Sequence, residues 1–379
     1  MALTIMMRAV VAIMVLLVIG EEARALVHKT IESDDDTIDC VAINNEIQQP
    51  GRSMKDIVAA SDIAIAAEER PQSWRKGGAG CPAGTVPIRR SGNATINPES
   101  FSIDDDVPPP HVFPSGTVEK AAAYGTNGPY HGIRAEVPYW KVDVHPDEFS
   151  MSYVMVACTL DSSYIPGVGA KAPTSLPNQI MVGLMTWPSG YGDSLPRLFV
   201  YYTNDSGVHY NCFNRECGGF QLTSNKYALG TTWTADPHFG GKQYGVYVGI
   251  HRDDTKMIWW VSVQDVDIGY FRDTVFDTRF PEASYVEMGG RVLNTRPGGQ
   301  HTSTPMGSTM PACGGPRYAA SIKEYLGVSA IGGQLFLDDV GRTVTTVPSC
   351  YGARPLGFGK IRSGYYTAYG GAGGIYCDH

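Results

Sequence analysis

The chain has 379 residues, long enough for more than one folding unit, and its hydrophobic fraction of 43% is ordinary for a globular protein. Its formal net charge of −8 argues against non-specific binding to nucleic acid or to an anionic membrane surface, since such binding needs excess positive charge. The 44 glycines, 25 prolines and 21 tyrosines indicate many turns and aromatic strand positions, so we expect an all-β core.

The first residues have the pattern of a secretory signal peptide. Arg8 supplies the positive charge, residues 9–19 form an apolar run, and residues 23–25 form a small-x-small cleavage site. The run is too short to span a bilayer, which favours a signal peptide over residues 1–25 rather than a signal anchor, the alternative interpretation. We therefore expect a secreted chain that has no membrane contact after the signal is removed.

Composition divides the remaining chain into three parts. Residues 26–90 hold an acidic run, a helix-forming stretch at 55–69 and a closing Arg89-Arg90 pair. Residues 91–130 hold runs of three aspartates and three prolines, which oppose compact structure and predict a linker. The second domain is then expected to cover 131–379.

Eight cysteines in a secreted chain are expected to pair mostly as disulfides. Zinc is the competing use of cysteines, but no CxxC pair or histidine spacing supports it, and we predict no metal or cofactor. The sequons at Asn93 and Asn204 predict glycan sites. The cysteines are Cys40, Cys81, Cys158, Cys212, Cys217, Cys313, Cys350 and Cys377.

The second domain alternates short strands with turns. Residues 180–186 are apolar on both faces, which predicts a buried central strand. Residues 197–203 are aromatic and β-branched, as strands prefer. Further strands are predicted at 226–232, 243–252 and 257–263. This pattern is typical of an antiparallel β-sandwich of two stacked sheets.

Several motifs carry a resemblance to one family. Residues 178–184 read NQIMVGL, a Tyr191-Gly192-Asp193 turn follows, and RLFVYYT at 197–203 precedes a cysteine loop, CFNRECGGF, at 212–220. Later stretches are YVEMGGRV at 285–292 and NTRPGGQHTST at 294–304. Together they resemble the neprosin family, secreted plant glutamic peptidases that cleave after proline.

The resemblance implies an arrangement for the whole chain. It implies that residues 26–90 are an activation or pro-region with a short helix, followed by a two-sheet antiparallel sandwich. It also implies the disulfides Cys212–Cys217 and Cys350–Cys377, while the pairing of the other four cysteines stays open. The expected location is the plant cell exterior, in the apoplast or cell wall, with the vacuole as an alternative.

The resemblance also implies two catalytic glutamates, and this chain has Met181 and Arg291 at the positions assigned to them. A methionine cannot transfer a proton, and an arginine stays protonated and cannot be a general base. Each lost acid–base group costs about 10²–10⁴ in rate. Glu287 lies four strand residues from Arg291, and we expect it either to pair with a cation or to be exposed.

We therefore predict a binding protein without peptidase activity, whose ligand is proline-rich or anionic, such as a proline-rich peptide or a cell-wall component. Its oligomeric state is left open. One alternative is an active proline-directed glutamic endopeptidase with relocated acids; another is a carbohydrate-binding wall protein that uses Trp233, Trp259 or Trp260. His301 is expected to make a structural hydrogen bond. The predicted cleft comprises Met181, Gly183, Glu287, Arg291, Trp259 and Trp260.

Overall fold

The computed structural model describes residues 27–43, 47, 49–61, 66–90, 116–158, 176–208, 210–276, 280–329, 334–335, 342–358, 364–374 and 377. The predicted signal peptide and the sequon asparagine Asn93 lie outside the described residues.

The described residues form nineteen strands, three 3₁₀ segments and two short α-helices. The helices are α1 (Met54–Ala59) and α2 (Pro188–Tyr191). The strands are β1 (Val27–Glu32), β2 (Thr37–Ala42), β3 (Thr85–Arg89), β4 (Thr117–Gly125), β5 (Gly132–Pro138), β6 (Ser150–Cys158), β7 (Asn178–Thr186), β8 (Arg197–Thr203), β9 (Cys212–Phe213), β10 (Phe220–Leu222), β11 (Gly245–Asp253), β12 (Ile258–Val263), β13 (Val266–Arg272), β14 (Tyr285–Asn294), β15 (Ala320–Val328), β16 (Gln334–Leu335), β17 (Thr343–Thr345), β18 (Gly352–Phe358) and β19 (Tyr365–Gly370).

Two large antiparallel sheets stack face to face, as predicted. The seven-stranded sheet has the order β17-β4-β14-β6-β7-β8-β9. The nine-stranded sheet has the order β10-β13-β12-β11-β5-β15-β19-β18, with β16 pairing to β15. The fold class predicted from the turn-rich, aromatic composition is therefore confirmed.

Strand β7 shows how side-chain alternation builds the layers. Ile180, Val182 and Leu184 belong to the main core between the two sheets. Met181 and Met185 belong to a second apolar cluster on the opposite face of the same strand. All nine residues of β7 are buried, which confirms the prediction of a central strand covered on both faces.

Two predictions from composition are wrong. Residues 117–125, assigned to the linker 91–130, form β4 and pair with both β14 and β17, because the small side chains of residues 121–123 pack into the core. Residues 226–232, predicted as a strand, instead form a loop whose backbone is bonded by a side chain of the N-terminal region. Gln72 Nε2 donates to the Ala228 oxygen, and the Ala228 N–H donates to Gln72 Oε1.

The N-terminal region forms its own three-stranded sheet, β1-β2-β3. Helix α1 begins at a Ser53–Asp56 capping box and covers six residues, fewer than the helix-forming stretch at 55–69 suggests. Met54, Ile57 and Val58 pack against Val328 of the nine-stranded sheet. The region therefore covers part of the outer face of that sheet.

Three disulfides are present among the described residues. Cys212–Cys217 and Cys350–Cys377 confirm the pairs implied by the family resemblance. Cys40–Cys81 is a third pair, inside the N-terminal region. Such bonds are typical of oxidising compartments.

Cys158 and Cys313 keep their thiols. Among the described residues, none of the helices combines the length and the apolarity needed to cross a bilayer.

A buried ion pair joins the N-terminal region to the sandwich. Asp36 accepts from Arg89 Nε at 2.6 Å and from Arg197 Nη1 at 2.7 Å. The side chains of Asp36 and Arg197 are both 0% exposed, and Arg197 also pairs with Asp193. Because these charges lie away from water, each depends on its partners for compensation.

We predict that Arg197→Met lowers the free energy of unfolding by about 3–5 kcal/mol, because it leaves the buried Asp36 carboxylate undercompensated. The matched control is Lys76→Met, since Lys76 meets Asp34 at 3.5 Å with side chains 76% and 88% exposed. We expect that control to cost less than about 1 kcal/mol. Chemical denaturation at neutral pH measures both, and equal small losses would contradict the prediction.

Candidate functional site

The outer face of the seven-stranded sheet, here called the front face, carries the candidate site. Alternation along β6, β7 and β14 directs Tyr153, Met181, Glu287 and Arg291 to this face. The front face is rich in methionine and aromatic side chains, several of which are fully buried. An ionised cluster therefore lies on a largely apolar floor.

The Glu287 carboxylate is the centre of that cluster. Oε1 accepts from Arg291 Nη2 at 2.7 Å and from the Tyr153 hydroxyl. Oε2 accepts from Lys120 Nζ at 2.8 Å and from the Tyr285 hydroxyl at 2.7 Å. A carboxylate has about four acceptor positions, so this one has none left for a water molecule.

The surroundings hold this carboxylate in its ionised form. Burial opposes the charge, but the positive charges of Lys120 and Arg291 outweigh it and keep the pKa of Glu287 well below its ordinary value. Burial raises the pKa of Tyr153 and of Tyr285 well above normal, so both stay protonated and donate. The Glu287 side chain is 0% exposed, which excludes the alternative that it lies in solvent.

Arg291 is fixed by several contacts at once. Its Nε donates to the Tyr153 hydroxyl at 2.9 Å, and its guanidinium carbon lies 4.7 Å from the centre of the Tyr153 ring. Nη2 also lies 3.5 Å from the Met155 sulfur. The expectation that Glu287 pairs with Arg291 is thus met, and the guanidinium covers the ring of Tyr153.

The register of the strands determines which front-face residues lie side by side. Glu287 is opposite Met155, and Met155 is opposite Met181, so these three residues form one cross-strand row. Arg291 is opposite Met151, about 13 Å further along the strand. Two carboxyls that act on one water must converge, so the register favours position 287, not 291, as the partner of position 181. Arg291, the position assigned to the second family glutamate, therefore does not lie in the row of Met181.

Gly183 has a steric role beside Tyr153. It is directly opposite Tyr153 in the ladder, and a Cβ built on it would lie 2.0 Å from the Ser152 oxygen and 2.8 Å from the Tyr153 Cα. Only glycine fits there without a backbone shift. Gly183 therefore lets β6 and β7 approach closely under the ionised cluster.

The structure does not bring Trp259 and Trp260 together with the front-face residues. Both lie on β12 of the other sheet and are 0% exposed. Trp259 belongs to the core between the sheets, and its indole donates to the Phe280 oxygen at 2.7 Å. Trp260 faces the opposite side, where Ile47 packs against its cluster. Neither indole can line a cleft with Met181.

The 294–304 motif makes structural contacts at the end of the sheet and does not position a reacting group. Buried Glu148 accepts from the hydroxyls of Thr302 and Thr304. His301 Nδ1 lies 2.7 Å from Glu119 Oε1, which confirms the expected structural hydrogen bond. Glu119, His301 and Cys350 are close enough to hold a metal ion, but Cys350 is in a disulfide and offers no thiolate.

Two neighbouring carboxyls, Glu324 and Glu136, lie on the outer face of the nine-stranded sheet. Burial raises the pKa of Glu324, which accepts a hydrogen bond from the Tyr247 hydroxyl at 2.6 Å. Nearby Glu136 is partly exposed, and its Oε1 lies 3.8 Å from Lys323 Nζ. A carboxyl with a raised pKa can act as a general acid, so Glu324 is one candidate for a relocated acid.

Trp233 has a different environment from the other two tryptophans. It lines a cavity of about 480 Å³ with Tyr139, Tyr244 and residues 68–73 of the N-terminal region. Its indole donates to the Arg70 oxygen at 2.9 Å, so the side chain is anchored at the cavity wall.

Sequence reasoning missed three residues of the ionised cluster: Lys120, Tyr153 and Tyr285. Tyr285 could have been found, because it lies two residues before Glu287 and so shares its strand face. Lys120 carried no comparable signal, because its stretch was assigned to the linker. Tyr153 could be placed only once the register of β6 against β14 was known.

Comparison with known proteins gives one family match. A family model described as Neprosin matches residues 147–372, more than half of the chain. Two solved structures of scytalido-glutamic peptidase, one with a peptide-based transition-state analogue and one with a transition-state analogue inhibitor, are similar at 9% identity. They cover 67% and 68% of this chain and 98% and 100% of their own, with TM-scores of 0.33 and 0.35.

A mixed-linkage glucan GH16 protein of Bacteroides ovatus, in complex with a product, matches at 8% identity and a TM-score of 0.26. That match covers 55% of this chain and 74% of its own. With TM-scores this low, the structural likenesses carry no inference about the site.

We predict that Glu287→Gln lowers the free energy of unfolding by about 3–5 kcal/mol at neutral pH, because two partly buried cations lose their counter-ion. The folded-state pKa of Glu287 is depressed, so its stabilisation is complete above the ordinary value of about 4.3 and is lost as the pH falls below it. The difference between wild type and variant should therefore shrink in acid.

The control for this prediction is Tyr124→Phe, beside the cluster. The Tyr124 ring stacks on Tyr285 at 5.7 Å, and its hydroxyl makes no hydrogen bond to the described residues. We expect little change at any pH. Chemical denaturation across a pH series measures both variants, and a Glu287→Gln cost that grows in acid would contradict the stated direction.

Proposed function

This chain belongs to the neprosin family, and we propose that it is a secreted member without glutamic peptidase activity that acts as a binding protein. The observation that carries the proposal is the Glu287 carboxylate, whose acceptor positions are all filled, in the same cross-strand row as an uncharged Met181. Neither Glu287 nor Met181 can take a proton from water under ordinary conditions.

The proposal follows from what hydrolysis requires. A glutamic peptidase needs one carboxylate to activate water and a second acidic group to protonate the leaving amine. Here Glu287 has no acceptor position left, and its low pKa prevents it from donating a proton. Arg291 could stabilise an oxyanion, but nothing beside it generates the nucleophile.

Location and partners form part of the same proposal. The apolar run at 9–19 and the disulfides support secretion, with the plant cell exterior or the vacuole as the destination. The sequons at Asn93 and Asn204 would then carry glycans. A proline-rich peptide is the favoured ligand because the front face keeps a floor of methionine and aromatic side chains.

We expect the purified protein to leave proline-containing peptides intact from strongly acidic to neutral pH, as measured by mass spectrometry. Cleavage that disappears in Glu287→Gln would overturn the proposal. Cleavage that survives this change but is lost in Glu324→Gln would also overturn it and would identify relocated acids.

A pair of substitutions tests whether the missing acid at position 181 is the reason that the protein does not cleave peptides. Met181→Glu with Arg291→Gln places a carboxyl in the row of Glu287 and removes one of its cations. We expect this pair to gain cleavage, since general acid–base groups contribute about 10²–10⁴ in rate. The matched control is Met185→Glu with Arg291→Gln, because position 185 is on the same face but in the row of Arg291.

The carbohydrate-binding alternative now depends on Trp233 alone among the three predicted tryptophans. Its cavity with Tyr139 and Tyr244 supports this second candidate, since aromatic walls suit sugar stacking. If it holds, Trp233→Ala should abolish binding on a glycan array, whereas Trp187→Ala, a buried front-face change, should leave binding intact. Absence of binding by the wild type would exclude this candidate.

A further inference from the structure

The cations around Glu287 have donors that the cluster does not use. An ammonium has three N–H donors and a guanidinium has five. Lys120 uses one on Glu287, and Arg291 uses Nε and Nη2. Within the described part of the chain, Arg291 Nη1 donates to no protein atom. The side chains of Lys120 and Arg291 remain 22% and 16% exposed, so solvent reaches them.

The cluster also has an unbalanced charge. Two cations meet one carboxylate, which leaves a net charge of +1 at neutral pH. The neighbouring side chains in the row of Glu287 are uncharged: Tyr124, Met155, Met181 and Tyr201. A partly buried surplus cation is costly, and an anion with the right reach would offset that cost.

We propose that Lys120 and Arg291 together bind a peptide carboxylate, either a chain terminus or an acidic side chain. This inference rests on the proposed function, since it assigns the ligand chemistry of the same front face. The cations supply charge-assisted hydrogen bonds, and the thioethers of Met155 and Met181 provide an adaptable apolar surface for the adjoining peptide residues.

The negative charge of Glu287 determines how tightly this site binds its ligand. It competes with the ligand for the two cations, because it already holds one N–H of each. Removing its charge raises the local net charge from +1 to +2. We therefore expect opposite effects from substitutions in this cluster. Loss of Lys120 or Arg291 should weaken ligand binding, and loss of the Glu287 carboxylate should strengthen it.

The test measures dissociation constants by fluorescence anisotropy with one proline-containing peptide in three forms. The first has a free C-terminus and neutral side chains, the second an amidated C-terminus and one internal glutamate, and the third an amidated C-terminus and glutamine in that place. We expect the third to bind about tenfold more weakly than at least one of the others, as the loss of a charge-assisted bond implies. Which of the first two is tighter identifies the source of the carboxylate.

The variants use the full chain. Arg291→Gln and Lys120→Gln should each weaken binding of the preferred peptide about tenfold, while Glu287→Gln should tighten it. Lys76→Gln, which changes a solvent-exposed lysine, should have no effect. A destabilised protein normally binds less tightly, so tighter binding by Glu287→Gln cannot come from unfolding, which thermal denaturation of each variant monitors.

Equal binding of all three peptides, or unchanged binding in Glu287→Gln, would overturn the inference while leaving the proposed function intact. Binding of an acidic polysaccharide fragment in preference to every peptide would also overturn it. Cleavage of any peptide by the wild type would instead overturn the proposed function.

Discussion

The four hydrogen bonds that converge on the Glu287 carboxylate decide what the front face can do. They keep the group ionised, fill its acceptor positions and fix the orientation of the side chains around it. The carboxylate is thereby a counter-ion to both Lys120 and Arg291. The cations that hold it then become the chemically available groups of the site.

Sequence predicted the layers of this fold better than its register. Alternation along residues 180–186 correctly gave a central strand with two buried faces, and the turn-rich composition gave the two-sheet arrangement. Register depends on pairing between distant strands, so the row shared by Met181 and Glu287 could not be read from either strand alone. The same limit applies to Trp259 and Trp260, whose strand pattern does not say which sheet they join.

Composition was least informative where small residues form strands. Residues 117–125 follow aspartate and proline runs and contain three consecutive alanines, yet they form β4 and deliver Lys120 to the site. Motif matching did locate Glu287 and the 294–304 segment. Their roles, as a counter-ion and as a support for Glu148, followed only from their partners.

The packing of α1 on the outer face of the nine-stranded sheet has a consequence for processing of the chain. Gly249 leaves space that the Met54 side chain approaches, and Ile47 packs against the cluster containing Trp260. Proteolytic loss of the N-terminal region would expose the apolar side chains of Val328 and of the Trp260 cluster, on the side remote from Glu287. Newly exposed apolar surface of this kind would favour self-association.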